Sequence, residues 1–316
     1  VVQVQPGPLK HGLDFVLAGL LARYEDRVPD VQRIVSAMID EKIITSRSDI
    51  ENDHIAFRTF GVRNLGIASL EKIFLHYGYE RRDRYEFAVK KLRAYWYSPP
   101  SPEYPRIFIS ELRVDELSPE AQRIIRSYTD EVERDPVAEL DLDDPAAVDA
   151  FLHRPLWRLP TVADYQRLAE ESEYAAWVIY NRYYLNHFTI SIHNLPAGLD
   201  TLEAFNAFLE RHGLTLNDSG GKIKRSGDGL LLQSATVAEL AEAEFAGGER
   251  RTISGSYVEF AERRVYPQFR HLPREQLTRE HRRDGFETNN ADKIFESTYS
   301  SQTLQRSRAL GMEGAQ

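Results

Sequence analysis

Asp53-His54-Ile55-Ala56-Phe57-Arg58-Thr59-Phe60 and Asn186-His187-Phe188-Thr189-Ile190-Ser191-Ile192 are the two stretches on which the fold turns. Each is a short strand-like run that opens on an acid or amide followed by His. What comes after them keeps one order. The first is followed by a helix from Ser69 to Tyr77, closed by Gly78, then by strand-like segments at 84–97 and 106–114. The second is followed by a helix from Thr201 to Arg211, with Leu202, Phe205, Phe208 and Leu209 on one face and Gly213 as its stop. A hairpin comes next: Lys222-Ile223-Lys224, the turn Ser226-Gly227-Asp228-Gly229, then Leu230 to Ser234, with a final strand from Gly255 to Arg263. Phe108-Ile109-Ser110-Glu111-Leu112 matches Tyr257-Val258-Glu259-Phe260 in placing a Glu on the last strand. The pattern is a divergent duplication of a β-α-β-β-β unit.

The flanks are helical. Residues 9–45 carry Leu13, Val16, Leu17, Leu20 and Leu21 at helical spacing, and Val31, Ile34, Val35 and Met38 repeat the pattern after Pro29. Residues 115–183 return to helix, with an acidic stretch at Glu139–Asp149 that reads as a solvated loop. The organisation is therefore a helical segment at 1–50, a first module at 51–115, a helical connection at 116–184, a second module at 185–266 and a cap or tail at 267–316. One compact catalytic domain is expected. The fold class is α+β, two β-α-β-β-β modules forming one curved mixed sheet with additional helices around it.

Composition narrows the chemistry. The 316 residues include 40 Lys+Arg and 49 Asp+Glu, a net charge of −9, which argues against nucleic acid as a partner. No uncharged apolar run of about 18 residues exists to span a membrane. The opening VVQVQPGPLKHG lacks a basic region followed by an apolar core, so no signal peptide and a cytoplasmic location are expected. There is no cysteine, so a metal must rest on His and carboxylates.

A set of two His and one carboxylate holds Fe(II) on one face and leaves positions open for substrate and O₂. The duplication nominates His54, His187 and Glu259. His193 competes as second ligand, since six residues beyond His187 it shares a strand face. Glu262 competes with Glu259, but three residues on it faces away. His76 and His212, near helix ends, read as structural. Arg58, four residues after His54 on the same face, suits a bidentate grip on a substrate carboxylate. Glu111, placed at the repeat position of Glu259, is a possible fourth or second-shell ligand. A coordinating Glu111 points to an isomerase or lyase using Zn(II), Ni(II) or Mn(II); a non-coordinating one, to a dioxygenase. A non-catalytic ligand-binding module is the third reading.

Several of these stretches resemble one family. Asp53-His54-Ile55-Ala56-Phe57-Arg58-Thr59, the pair Asn186-His187 followed by Thr189, and Tyr257-Val258-Glu259-Phe260-Ala261-Glu262-Arg263 are similar to the 2-oxoadipate dioxygenase/decarboxylase family. So are Gly285-Phe286-Glu287 and Asn290-Ala291-Asp292-Lys293-Ile294-Phe295-Glu296-Ser297-Thr298. The resemblance spans roughly residues 10–300. It implies a vicinal-oxygen-chelate-like fold, Fe(II) held by His54, His187 and Glu259, and Arg58 on the substrate carboxylate. It further implies O₂-dependent decarboxylation of a 2-oxo acid to a 2-hydroxy acid such as 2-hydroxyglutarate. Gln233 and Ser234, at a hairpin strand end, and Phe286, in the C-terminal block, are the further substrate-binding candidates. The oligomeric state is not expressed in the sequence.

Overall fold

The computed structural model describes residues 8–309. The reading of the opening residues as leaderless falls partly on 1–7, outside the described residues.

Two helices, α1 (Pro8–Arg27) and α2 (Pro29–Asp40), open the chain, with Pro29 supplying a pre-set first turn to the second. The first module follows as β1 (Asn52–Phe60), α3 (Ile67–His76), β2 (Glu80–Phe87), β3 (Leu92–Ser98) and β4 (Arg106–Leu112). The 84–97 stretch is a hairpin, β2 and β3 turning through residues 88–91 with Lys91 at φ +57°. Four helices make the connection: α4 (Pro119–Thr129), α5 (Pro145–His153), α6 (Val162–Glu171) and α7 (Glu173–Asn181). The second module contains β5 (His187–Ser191), α8 (Leu202–Arg211), β6 (Lys224–Arg225) and β7 (Leu231–Ala235). It also holds an inserted hairpin of β8 (Leu240–Glu244) and β9 (Arg250–Ser254), and ends with β10 (Glu259–Arg263). The C-terminal segment adds α9 (Thr288–Phe295) and α10 (Ser300–Ala309).

Eight strands form one sheet in the order β2-β3-β4-β1-β5-β10-β7-β6, while β8 and β9 pair only with each other. The order is palindromic by module. In each, the first and last strands are parallel neighbours, β1 with β4 and β5 with β10, and β1 meets β5 antiparallel at the centre. Helix α9 touches β2 of one module and β6 and β7 of the other, so the sheet curves and the C-terminal segment closes its inner face. Helix α8 buries Leu202, Phe205, Phe208 and Leu209, the apolar face its spacing foretold, each contributing about 1.5–3 kcal/mol.

Register corrects the alignment of the repeats. Two residues after each His, Ala56 pairs with Phe108 and Thr189 pairs with Glu259. The counterpart of Glu259 is therefore Phe108, and Glu111 is the counterpart of Glu262. Their roles agree. Glu111 Oε2 accepts the backbone N–H of Ile67 at 2.8 Å, and Glu262 Oε2 accepts that of Leu202 at 2.8 Å. These are the first residues of α3 and α8, where free N–H groups and the positive end of the helix dipole favour a carboxylate. Glu111, also paired with Arg93, thus anchors a helix and stands apart from His54, His187 and Glu259, neither a fourth ligand nor a support for one.

Candidate metal centre

The antiparallel pairing of β1 with β5 sets Ala56 opposite His187 and His54 opposite Thr189, which brings the two His side by side. Strand β10, alongside β5, delivers Glu259 to the same place. One donor atom from each of the three lies within 4.8 Å of the others, and all three side chains are buried. His187 Nε2 is 2.8 Å and His54 Nε2 3.5 Å from Glu259 Oε2.

The neighbouring residues fix which nitrogen faces inward. Asp53 Oδ2 lies 2.8 Å from His54 Nδ1, and Asn186 Oδ1 lies 2.8 Å from His187 Nδ1. Both partners are acceptors, so each Nδ1 carries the hydrogen; the Nε2 lone pair of His187 faces Glu259, and that of His54 faces the Thr189 hydroxyl at 3.0 Å with Glu259 beyond it. His187 Nε2 has no aligned hydrogen bond despite its closeness to the carboxylate. Two lone-pair nitrogens converging on a carboxylate oxygen in a buried site are a donor set for a divalent metal. Glu259 is itself held, since Gln233 Nε2 donates to its Oε1 at 2.6 Å and Asn290 Nδ2 donates to Gln233 Oε1 at 3.1 Å.

Electrostatics separate the three groups. Burial opposes charge on Glu259, but the two imidazoles outweigh it and lower its pKa. Burial likewise opposes protonation of His54, yet Glu259 and Asp53 raise its pKa. For His187 burial prevails and its pKa falls, keeping the imidazole neutral.

The three residues line a cavity with Arg58, Phe108, Gln233, Tyr257 and Phe286. The Phe286 ring meets His54 edge-on at 4.8 Å between centroids, and Tyr257 stacks on His187 at 4.7 Å. Arg58 is fully buried; its Nη1 donates to Thr298 Oγ1 at 2.8 Å and its Nη2 to the Phe295 carbonyl at 3.0 Å. Its Nε has no partner among the described residues, while Tyr174 and Trp177 flank the guanidinium at 5.3 and 5.2 Å. The cavity has a volume of about 20 Å³, room for about one water.

Comparison with known proteins gives the family. The profile of the family described as 2-oxoadipate dioxygenase/decarboxylase matches residues 16–279. The chain belongs to this family. A chloroplastic 2-oxoadipate dioxygenase/decarboxylase of Arabidopsis thaliana is 45% identical over 265 residues, covering 80% of this chain and 70% of the relative. A chloroplastic/amyloplastic one from Oryza sativa subsp. japonica is 48% identical over 266 residues, covering 81% and 71%. The crystal structure of the Oryza sativa hydroxyglutarate synthase in complex with 2-oxoadipate superposes with a TM-score of 0.85. That match has 42% sequence identity and covers 95% of this chain and 96% of that one.

The plastid location in both plant names overturns the expectation of a cytoplasmic enzyme. Among the described residues no helix is long and apolar enough to cross a membrane.

For this 2-oxoadipate dioxygenase/decarboxylase relative, the structure gathers His54, His187, Glu259, Arg58, Gln233 and Phe286 around one cavity. It leaves Ser234 out: period 2 turns it to the opposite face, where its Oγ donates to Asn206 Oδ1 at 2.7 Å. Gln233 faces the cavity with its amide nitrogen committed to Glu259. His193 lies past the end of β5, its Nδ1 accepting the Arg263 N–H at 3.1 Å. His76 and His212 pair with Asp143 and Glu41 outside the cavity. The supporting residues were visible but unassigned, for Asp53 and Asn186 are the acid and amide that open the two repeats. Asn290 and Tyr257 stand in stretches that carry the family resemblance, but the sequence assigns neither a role in the site.

Proposed function

We propose that this enzyme is iron(II)-dependent and converts a 2-oxo acid of the 2-oxoadipate type, with O₂, to the one-carbon-shorter 2-hydroxy acid and CO₂. For 2-oxoadipate the product is 2-hydroxyglutarate, and the balance closes: C₆H₈O₅ and O₂ give C₅H₈O₅ and CO₂. The observation that carries this reading is the convergence of two lone-pair imidazoles and a carboxylate in a cavity that also holds a buried arginine, in a member of this family. His54, His187 and Glu259 would hold the ion, with Mn, Zn or Ni as the alternatives to iron. When bound, the ion supplies Lewis acidity and the oxygen chemistry.

The chain's own residues supply position and exclusion. Asp53 and Asn186 lock the imidazole tautomers, and Gln233 fixes the Glu259 carboxylate. Arg58 is the group for a substrate carboxylate. Its Nε is unpartnered, and its Nη1 and Nη2 are held only by neutral oxygens that a carboxylate outcompetes. Those oxygens belong to Phe295 and Thr298, and the cavity is too small for a six-carbon diacid. Substrate entry therefore displaces the 286–298 wall, and its return excludes bulk water with Phe286 and Phe295. The five segments of the chain act as one catalytic unit.

The isomerase reading rested on coordination by Glu111, which instead holds the first turn of α3. Metal analysis of anaerobically purified protein, followed by oxygen uptake with 2-oxoadipate, tests the proposal. One O₂ consumed per CO₂ released, dependent on iron, is the expected result. Iron-loaded protein that consumes no O₂ with any 2-oxo acid would overturn it.

A further inference from the structure

A second cavity, of about 200 Å³, opens where β1 and β4 begin and β10 ends. It shares no lining residue with the metal cavity. Arg106, Arg263, Arg279 and Arg282 face it against only two carboxylates, Glu51 and Asp53. Both carboxylates are spoken for: Asp53 by Arg263, Arg106 and the His54 ring, and Glu51 Oε2 by Asn194 Nδ2 at 2.7 Å. Asp284 balances one more guanidinium through Arg106 Nε, which leaves the lining with an excess of positive charge.

Unused donors point the same way. The Arg106 side chain is 2% exposed, yet its Nη2 has no hydrogen-bond partner among the described residues. Burial first, and then the nearby Arg263, push its pKa down to about 10. Arg279 Nη2 is also without a hydrogen bond, its nearest carboxylate oxygen 3.8 Å away on Glu51. His193 accepts the Arg263 N–H through Nδ1, so its hydrogen sits on Nε2. Burial and then Arg282 push its pKa down to about 3, so it stays neutral and serves as a donor. A buried guanidinium nitrogen left without an acceptor is costly, and an anionic oxygen removes that cost.

We propose that this second cavity binds a small oxyanion group, a carboxylate or a phosphate, through Arg106, Arg279 and the His193 Nε2–H. Its occupancy is independent of the metal.

Isothermal titration of the full chain with inorganic phosphate and with glutarate, at low ionic strength, tests this. The expected result is saturable binding of at least one of them. It should weaken tenfold or more in Arg279→Gln and persist in His187→Ala, which disables the metal cavity. Arg282→Gln, which removes another guanidinium from the same lining, should also weaken binding and carries the test should the first variant not fold. The tighter of the two anions identifies the group the cavity takes. Absence of binding by either anion overturns the proposal. So does binding unaffected by the arginine variants, or binding lost in His187→Ala alone, which would place the anion at the metal centre.

Discussion

At the residue scale, hydrogen bonds hold each side chain of the candidate metal centre in one orientation. Removing a ligand and loosening one are therefore different experiments. His187→Ala is expected to lose bound iron and at least about a hundredfold in oxygen uptake, read by metal analysis and an oxygen electrode on the same preparation. Gln233→Leu keeps all three ligands but frees Glu259 Oε1. Loss of such an outer partner typically costs about 10–100-fold in metal affinity or activity. Chelator competition should show a weaker but still stoichiometric site, and unchanged affinity would remove Gln233 from the centre. Arg58 behaves differently, because its contacts come from residues 237 and 240 positions further along the chain. Arg58→Gln should raise KM for the diacid while leaving iron content intact.

At the element scale, the two modules use equivalent carboxylates to seat equivalent helices. Glu111→Ala leaves the Ile67 N–H and Arg93 without their acceptor. A cost of about 1–3 kcal/mol in urea denaturation is expected, with iron content unchanged. Loss of iron from this variant would restore Glu111 to the centre. The same pair shows what could be read from sequence. His54 and His187 were legible because each opens a repeat behind an acid or amide. Glu259 was legible because it lies on the strand that closes the second repeat. The alignment of the closing strands was not, since a shared Glu suggested the match while strand register obeys hydrogen bonding. The register makes Phe108, opposite Ala56, the counterpart of Glu259, opposite Thr189. The β8–β9 hairpin escaped for a related reason: apart from Ala243 and Ile253 its side chains face outward, so it carries little apolar period. The C-terminal block was readable as a cap, but nothing local to Phe295 and Thr298 announces that they hold Arg58.

At the scale of the whole molecule, Arg306 of α10 ties the ends of the chain together. It pairs with Asp30 of α2 at 2.6 Å and with Glu239, just before β8, at 2.8 Å. Burial first, and then Asp30, pushes Glu239 up to about 7 from 4.5. The folded chain thus holds a proton there that the unfolded chain has released. Stability from this group is greatest below about pH 4.5 and declines as pH rises to 7. Glu239→Gln should add roughly 1–2 kcal/mol at pH 8 and little at pH 5, compared through urea midpoints. Equal effects at both pH values would contradict this account. The palindromic sheet carries a consequence of its own. Two-fold symmetry offers four inward places, and three are filled by His54, His187 and Glu259. The fourth belongs to Phe108, a side chain that cannot donate an electron pair. The duplication thus supplies three donors and not four, and broken symmetry would leave an ion held there one more position for substrate or O₂. Completing the symmetry with Phe108→Glu should give a chain that resists chelators more strongly and takes up less O₂ with 2-oxoadipate, read by chelator competition and an oxygen electrode.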